Sequence, residues 1–364
     1  MSSTAHQPWE FVPHQHRGPA AQSGADDHIY SPKLHNGAFK AKGLDTFMGA
    51  PYCEPDRDKI RAMGAKLCFL GVPHDHGNMV RCGTSQGPAG IREASTQYFP
   101  YMFEYDVDLM SFYKPVDCGD IPHIPGNNIK SHQLIYDYVS ECLHGGAMVL
   151  LCGGDHSVPI PAAKALSDYL GEKSSMGYLH VDCHLDSAPD WEGNVLTNCS
   201  GTSRALDLPN CSGANMAHLG SRNGLNPKDW VDTLLDNDIR LLGMREVVKR
   251  GIEPCTHEIF ERAWDGTDGV YFSWDTDSLD ASCAPGTTAP EPFGIKAREA
   301  MQLARIAGQY GASIMEISEL CPMWDSNTIT SKLSCCMAYE FLGSRAKTLR
   351  DEGKAPWNRK NTAK

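Results

Sequence analysis

Short apolar runs, separated by polar and glycine-rich stretches, recur along the chain and predict buried β-strands. The predicted strands cover residues 66–72, 147–152, 175–181, 215–219, 239–242, 269–274 and 312–317, with a further short strand ending at 117–120. Polar and apolar positions at helical spacing between them predict helices at 88–98, 127–144, 161–170, 296–309 and 331–342. This alternation predicts an α/β fold in which helices cover both faces of a mostly parallel sheet.

The segment that follows strand 175–181 carries three ionisable side chains at alternate positions, Asp182, His184 and Asp186. If the extended conformation continued, all three would share one face of the strand. Burying such groups is costly unless they are paired, and a bound metal ion would pair them. Imidazole and carboxylate groups are ligands for divalent ions of the first transition row. A solvated turn explains this segment equally well when it is considered alone.

Two other predicted strands end in the same types of residue. His156 follows Gly153-Gly154 after strand 147–152, and Asp275 and Asp277 follow strand 269–274. The carboxyl ends of parallel strands meet at one edge of the sheet, where ligands bind in open α/β folds. Two histidines and four aspartates are enough for two metal ions with shared carboxylates, which could activate a water molecule. We favour this interpretation over three unrelated acidic loops.

Two other histidine-containing stretches are weaker ligand candidates. His180 lies on the face of Asp182, and we expect it to support the site or to pack in the core rather than to bind metal. His74, Asp75 and His76 resemble ligands when considered alone, but no strand face supports them.

Charge and composition exclude several classes of function. The chain has 364 residues, 41% of them hydrophobic, and a net charge of -12, which argues against nucleic-acid or anionic-membrane partners and is compatible with a cationic substrate. We find no apolar run near the ~18 residues of a membrane span and no signal peptide. We therefore expect a cytoplasmic protein whose 14 cysteines are reduced thiols. No C-x-x-C motif is present, so zinc-finger and redox sites are disfavoured.

Three motifs in order resemble the signatures of the ureohydrolase family, which includes arginases, agmatinases, guanidinobutyrases and guanidine hydrolases. They are Gly-Gly-Asp-His-Ser at 153–157, Asp-Cys-His-Leu-Asp at 182–186 and Ser-Trp-Asp-Thr-Asp-Ser-Leu-Asp at 273–280. The run at 71–92 is also similar. The resemblance implies a three-layer arginase-like fold with a mostly parallel central sheet flanked by helices. It divides the chain into an N-terminal extension (1–45), a catalytic domain (46–347) and a polar C-terminal tail (348–364).

The resemblance also implies roles for individual residues at a centre of two divalent ions, Mn²⁺ in most members and Ni²⁺ in the guanidine-hydrolase branch. His156 and Asp186 would hold one ion, His184 and Asp277 the other, and Asp182 and Asp275 would bridge them. Asp186 would also be catalytic and carry a proton to the leaving nitrogen. Glu319 would be both catalytic and substrate-binding, because its carboxylate can form charge-assisted hydrogen bonds to a guanidinium group.

Departures from the family pattern bear on the substrate. Ser200 precedes Gly201 where family members commonly have a histidine, which makes Ser200 a candidate substrate-binding residue. Trp191, Phe293 and Trp324 are further candidates, since they could narrow and dry the pocket and aromatic faces suit a small cation. Loop packing explains each of the three aromatic residues equally well. With the long extension, these features resemble the guanidine-hydrolase and metformin-hydrolase branch most.

We therefore predict metal-dependent hydrolysis of a small guanidine or biguanide, such as guanidine or a metformin-like compound, that releases urea and an amine or ammonia. The alternatives are an agmatinase or guanidinobutyrase, or a non-catalytic subunit that supports an active related chain. Family resemblance implies a trimer or hexamer, and a hetero-oligomer with a related chain is compatible with it. The predicted partner is a small cationic guanidine-type substrate, with no nucleic acid and no membrane.

Overall fold

The centre of the protein is a parallel β-sheet of eight strands, in a computed structural model that describes residues 45–354. The strands, in chain order, are β1 (Leu67–Gly71), β2 (Tyr101–Met102), β3 (Val107–Asp108), β4 (Val116–Asp120), β5 (Met148–Cys152), β6 (Met176–Val181), β7 (Cys211–Leu219), β8 (Arg240–Leu242), β9 (Gly269–Asp275) and β10 (Ile314–Ser318). β2 and β3 form a separate antiparallel ribbon. The others are ordered β4-β1-β5-β10-β9-β6-β7-β8 across the sheet.

Helices cover both faces of this sheet. They are α1 (Arg57–Met63), α2 (Gly87–Ser95), α3 (Leu109–Tyr113), α4 (Asn128–Gly145), α5 (Pro159–Leu170), α6 (Gly201–Leu206), α7 (Lys228–Asp236), α8 (Met244–Arg250), α9 (Ile252–Trp264), α10 (Ala297–Tyr310) and α11 (Ile329–Asp351). Because side chains alternate along a strand, Phe272 faces a core with α10 and α11, while Tyr271 faces a second core with α4 and α5. Apolar residues therefore fill both sides of the sheet, as parallel sheets require.

The four central strands end at the same level. Cys152 of β5 lies beside Ile317 of β10, which lies beside Trp274 of β9, which in turn lies beside Val181 of β6. The segments that follow these strands consequently emerge next to one another. This alignment brings residues that are far apart in sequence to one edge of the sheet.

The structure confirms the predicted α/β fold and all eight predicted strands of the parallel sheet, with shifts at the ends. The largest shift is in β7, which begins at Cys211 rather than at residue 215. The last helix continues to Asp351 and buries Leu349, so the first residues of the predicted tail are helical. The predicted extension at 1–45 lies outside the described residues, apart from its last one. None of the helices between residues 45 and 354 has the length and apolarity to cross a membrane.

Candidate metal centre

Six side chains from the ends of three central strands converge at the carboxyl edge of the sheet. They are His156 after β5, then Asp182, His184 and Asp186 after β6, and Asp275 and Asp277 at the end of β9. The strand conformation of β6 ends at Val181, so the face-sharing expected from a continued strand does not apply to the residues after it. A bend brings them together instead, with Asp186 in a left-handed conformation at φ 46°.

The first group of ligand atoms surrounds the imidazole of His156. Its Nδ1 atom lies 2.8 Å from an oxygen of Asp182, 2.9 Å from one of Asp186 and 3.1 Å from one of Asp275. This buried nitrogen nevertheless forms no hydrogen bond of acceptable geometry. Three carboxylates that face one ring nitrogen are the arrangement expected around a cation rather than around a single proton.

The second group lies on the other side of Asp182. His184 Nδ1 is 3.1 Å from Asp277 Oδ2 and 3.4 Å from Asp182 Oδ1. Oxygens of Asp182, Asp275 and Asp277 are also within 4.8 Å of one another. Asp182 thus contacts both histidines, whereas Asp275 contacts His156 and lies near Asp277.

The electrostatics of this cluster indicate that it needs positive charge. Burial and the nearby carboxylates of Asp277 and Asp182 raise the pKa of Asp275 well above its usual value. Burial and Asp182 raise the pKa of Asp277 to about 6. Burial alone would lower the pKa of His156, but its three carboxylate neighbours outweigh burial and raise it. Protons and metal ions compete for the same ligands, so this donor set fits two divalent cations.

A hydrogen-bond chain behind His156 fixes its orientation. His156 Nε2 lies 2.7 Å from Ser273 Oγ, and Ser273 in turn donates to Glu316 at 3.0 Å. Glu316 also accepts a hydrogen bond of 2.6 Å from the Tyr271 hydroxyl. With the Nε2 proton directed to Ser273, the lone pair of Nδ1 faces the carboxylates. Neither Ser273 nor Glu316 was among the residues predicted from sequence, although Ser273 opens the third motif.

Glu319 lies beside the metal ligands and is almost fully buried. Its Oε1 accepts a hydrogen bond of 2.7 Å from the His156 backbone N–H, and its Oε2 accepts one from the Thr288 hydroxyl. Asn198 lies 3.4 Å from Oε1. Burial, followed by the charge of Asp155, raises the pKa of Glu319 to about 8. A cation bound next to Glu319 would stabilise its ionised form.

A cavity of about 290 Å³ opens above these residues. His156, His184, Asp186, Asp275, Asp277 and Glu319 form its polar part. Its walls are largely apolar and include Met79, Val80, Trp191, Leu225, Pro227 and Trp230. No lysine or arginine is among the described residues that line it. Arg81, which follows Val80, lies over the Trp324 ring at 4.7 Å and donates to the Thr287 carbonyl oxygen.

Of the three aromatic residues predicted to narrow the pocket, only Trp191 lines this cavity. Phe293 lines a separate surface pocket with Arg222 and Met244. Trp324 donates its indole N–H to the Cys82 carbonyl oxygen at 3.0 Å and stacks with Arg81. The positions of Phe293 and Trp324 therefore correct their assignment to the substrate pocket. Both occur in loops after strands, where sequence alone does not specify which way a side chain points.

Ser200 is also outside the cavity lining, although its neighbours Asn198 and Cys199 are part of it. Ser200 is buried, and its hydroxyl lies 2.9 Å from that of Thr197. The structure therefore gives Ser200 a local structural contact and makes Asn198 the better substrate-binding candidate in this loop.

His180 borders the first group of ligand atoms. His180 Nε2 is 2.9 Å from Asp182 Oδ2, and its Nδ1 is 3.0 Å from His218 Nδ1. One of its nitrogens lies within 4.8 Å of ligand atoms of His156, Asp182 and Asp186, so its supporting role stays a prediction. Asp75 accepts hydrogen bonds from the Gly83 backbone at 2.6 Å and the Thr84 hydroxyl at 2.9 Å, so it organises a loop.

Known proteins are similar to this chain in both sequence and fold. Residues 65–343 match the arginase family. A guanidinobutyrase of Pseudomonas aeruginosa is 28% identical over 322 residues, which cover 87% of this chain and 97% of that protein. Proclavaminate amidinohydrolase of Streptomyces clavuligerus superposes with a TM-score of 0.77 at 26% identity, covering 84% of this chain and 98% of that one. A Trypanosoma cruzi formiminoglutamase structure with Mn²⁺ superposes with a TM-score of 0.72 at 25% identity, covering 81% and 99%.

The family match includes all six candidate metal ligands and Glu319. It extends over well more than half of the chain. The chain therefore belongs to the arginase family of ureohydrolases.

Proposed function

We propose that this protein hydrolyses a carbon–nitrogen bond of a small guanidine or biguanide cation, such as guanidine or a metformin-like compound. Water adds to the amidine carbon and ammonia or an amine leaves, so the other product is urea or an N-substituted urea. The observation that carries the proposal is the cavity itself. It combines a buried carboxylate, Glu319, with apolar walls and no lysine or arginine among its described lining residues.

Glu319 is positioned to bind the planar cation. Its two oxygens are held by different donors, the His156 backbone N–H and the Thr288 hydroxyl, so the carboxylate has a fixed orientation. An ionised carboxylate has about four acceptor sites, so lone pairs stay available for a guanidinium group. Bidentate hydrogen bonds between these two planar groups are both strong and directional.

Asp186 is positioned to move a proton. It lines the cavity and lies next to His156, so it faces both the metal ligands and the space for the substrate. We propose that Asp186 accepts a proton from the attacking water and delivers it to the leaving nitrogen. Two divalent ions held by the six ligands would supply Lewis acidity that lowers the pKa of water.

The walls favour a substrate without a negatively charged tail. Trp191, Trp230 and Leu225 present apolar surface that would exclude water and contact a planar or alkylated cation. A carboxylate placed among them would lose its hydration without gaining a basic partner, which is costly. We therefore expect guanidine and biguanides to be better substrates than 4-guanidinobutyrate.

We propose Mn²⁺ or Ni²⁺ as the metal. The Mn²⁺ of the formiminoglutamase neighbour supports manganese, while the general affinity order for such ligands favours nickel. We further propose that the protein assembles as a trimer or hexamer, alone or with a related chain.

The experiment is a substrate panel with purified protein loaded separately with Mn²⁺ and Ni²⁺. Release of urea and amine would be measured with guanidine, metformin, agmatine, 4-guanidinobutyrate and arginine. We expect turnover of guanidine or metformin. Turnover of agmatine or 4-guanidinobutyrate alone would contradict the proposed substrate and support the alternative activities. No turnover with two metals bound would favour a supporting subunit of a hetero-oligomer.

A further inference from the structure

Three cysteine thiols meet in the core on the α4 side of the sheet, away from the centre described above. They belong to Cys68 in β1, Cys118 in β4 and Cys142 in α4. All three are at most 2% exposed. Their sulfur atoms lie within 4.8 Å of one another, and those of Cys118 and Cys142 are 3.9 Å apart.

The fold brings these cysteines together although they are far apart in sequence. β1 and β4 are neighbours in the sheet, and Cys68 is in register with Val116. Cys118 is two residues further along β4, so it points to the same face as Val116. Both thiols therefore face the same core as Cys142 of α4.

A fourth cysteine, Cys53, lies just before α1 at the edge of the same core. It is 5% exposed, and its thiol donates to the Glu54 carbonyl oxygen at 3.3 Å. The described thiols that lie within 4.8 Å of one another do not include Cys53, so the group consists of the other three cysteines.

The distance between two of the sulfurs fits a metal site. Thiolates bound tetrahedrally to Zn²⁺ at ~2.3 Å are about 3.8 Å apart. The observed 3.9 Å between Cys118 and Cys142 already agrees with that value. Cysteines also serve as small apolar residues in cores, but packing alone gives no reason for thiols from three elements to converge. Hydrogen bonds from the Cys142 and Cys68 thiols lower the pKa of Cys118 to about 5, while the hydrogen bond to Cys118 raises the pKa of both partners, so one thiol of the three ionises readily.

We propose that Cys68, Cys118 and Cys142 bind a thiophilic divalent cation of the Zn²⁺ class. Each thiol that becomes a ligand loses its proton, so binding releases three protons per ion. The ion would fasten α4 to the β1–β4 edge of the sheet. This site is independent of the His/Asp centre and of the proposed reaction.

The first test uses the full-length wild-type protein. All metal is removed with a chelator, Mn²⁺ is added to fill the His/Asp centre, and Zn²⁺ alone is then titrated. We expect zinc with sulfur neighbours at ~2.3 Å in its X-ray absorption spectrum and release of three protons for each sulfur-bound ion, apart from the zinc that replaces Mn²⁺ in the His/Asp centre, where the affinity order favours zinc. A zinc spectrum without sulfur neighbours would overturn the proposal and leave the thiols as ordinary core residues.

Variants then identify the thiols. Cys142→Ala should abolish the sulfur neighbours and the thiolate-to-metal absorption band of the Co²⁺-loaded protein. Cys255→Ala is the matched control, because Cys255 is buried in α9 in the other core. A sulfur signal that persists in Cys142→Ala but disappears in Cys183→Ala would overturn the proposal, since Cys183 lies next to His184 and Asp277. If Cys142→Ala does not fold, the zinc X-ray absorption spectrum and the proton count of the wild-type protein still test the proposal.

Discussion

The floor and the wall of the cavity are built in different ways. We call His156, Asp182, His184, Asp186, Asp275 and Asp277 the metal floor, and Met79, Val80, Trp191, Leu225, Pro227 and Trp230 the cavity wall. The floor follows three strands of one sheet and is mostly buried. Much of the wall comes from loops and is exposed, with Val80 at 66% and Trp191 at 49%.

This difference assigns the metal chemistry to the floor and the substrate preference to the wall. A sheet in register fixes the positions of the floor, so the same metal chemistry can be shared by a whole family. Loops tolerate changes of sequence and length with little cost to the fold, so the wall can change the substrate without disturbing the floor. We therefore expect variants of the floor to affect turnover most and variants of the wall to affect substrate preference.

The largest effect should come from Asp186→Asn in the floor. The amide cannot accept the proton from water or pass it on, so we expect kcat to fall by ~10²–10⁴-fold. Initial rates at saturating metal and substrate would measure this. Asp190→Asn is the control, because Asp190 is an exposed aspartate of the same loop and caps a turn at Gly193. A rate within a few-fold of wild type for Asp186→Asn would refute its role in proton transfer.

Glu319→Gln tests the residue between floor and wall. Loss of charge-assisted hydrogen bonds worth about 1.5–3 kcal/mol should lower kcat/KM by ~10–150-fold, with both metal ions retained. Metal analysis and steady-state kinetics on the same preparation would measure this. Glu340→Gln, a buried glutamate of α11 outside the cavity, is the control. Loss of metal from Glu319→Gln would contradict a role in substrate binding and indicate a structural role in the floor.

The third prediction concerns the support behind the floor. Ser273→Ala removes the group that holds His156 Nε2, so we expect metal affinity to weaken by ~10–100-fold. Mn²⁺ titration by calorimetry would measure it. Ser334→Ala is the matched control, because Ser334 is also fully buried but its hydroxyl has no partner. Equal affinities for the two variants would show that the hydrogen-bond chain to Glu316 does not orient His156.

The smallest effect is expected in the wall. Trp191 and Phe293 are both 49% exposed, but only Trp191 lines the cavity. Contact between a cation and an aromatic face contributes about 0.5–2 kcal/mol, so Trp191→Ala should raise KM by ~2–30-fold with little change in kcat. Phe293→Ala should leave both parameters unchanged. If the two substitutions changed KM equally, Trp191 would have no larger role in substrate binding than the surface residue Phe293.

The floor was predictable from sequence because its residues follow apolar runs in a fixed order. The apolar runs identify the strands, and the carboxyl ends of parallel strands lie at one edge of the sheet. The convergence of His156, His184 and the four aspartates follows from these two facts. Even here the conformation of Asp186 was not predictable, because a non-glycine residue with positive φ leaves no signal in the pattern.

The wall and the supporting residues were not predictable in the same way. Thr288 and Asn198 contact Glu319 from two separate loops, and no periodicity relates them to it. Phe293 and Trp324 occur near the motifs in sequence but point away from the cavity. The thiol cluster escaped notice because its cysteines are 24 or more residues apart along the chain, so no short spacing motif marks it.

The central claim is that the cavity wall selects a cation without an anionic tail. The most direct test compares kcat/KM for N-propylguanidine and 3-guanidinopropionate, which share the guanidinium group and differ chiefly in the carboxylate. The account predicts a higher kcat/KM for N-propylguanidine, because no lysine or arginine is among the described residues that line the cavity. A higher kcat/KM for 3-guanidinopropionate would contradict it and show that a cationic group enters the cavity in the working enzyme.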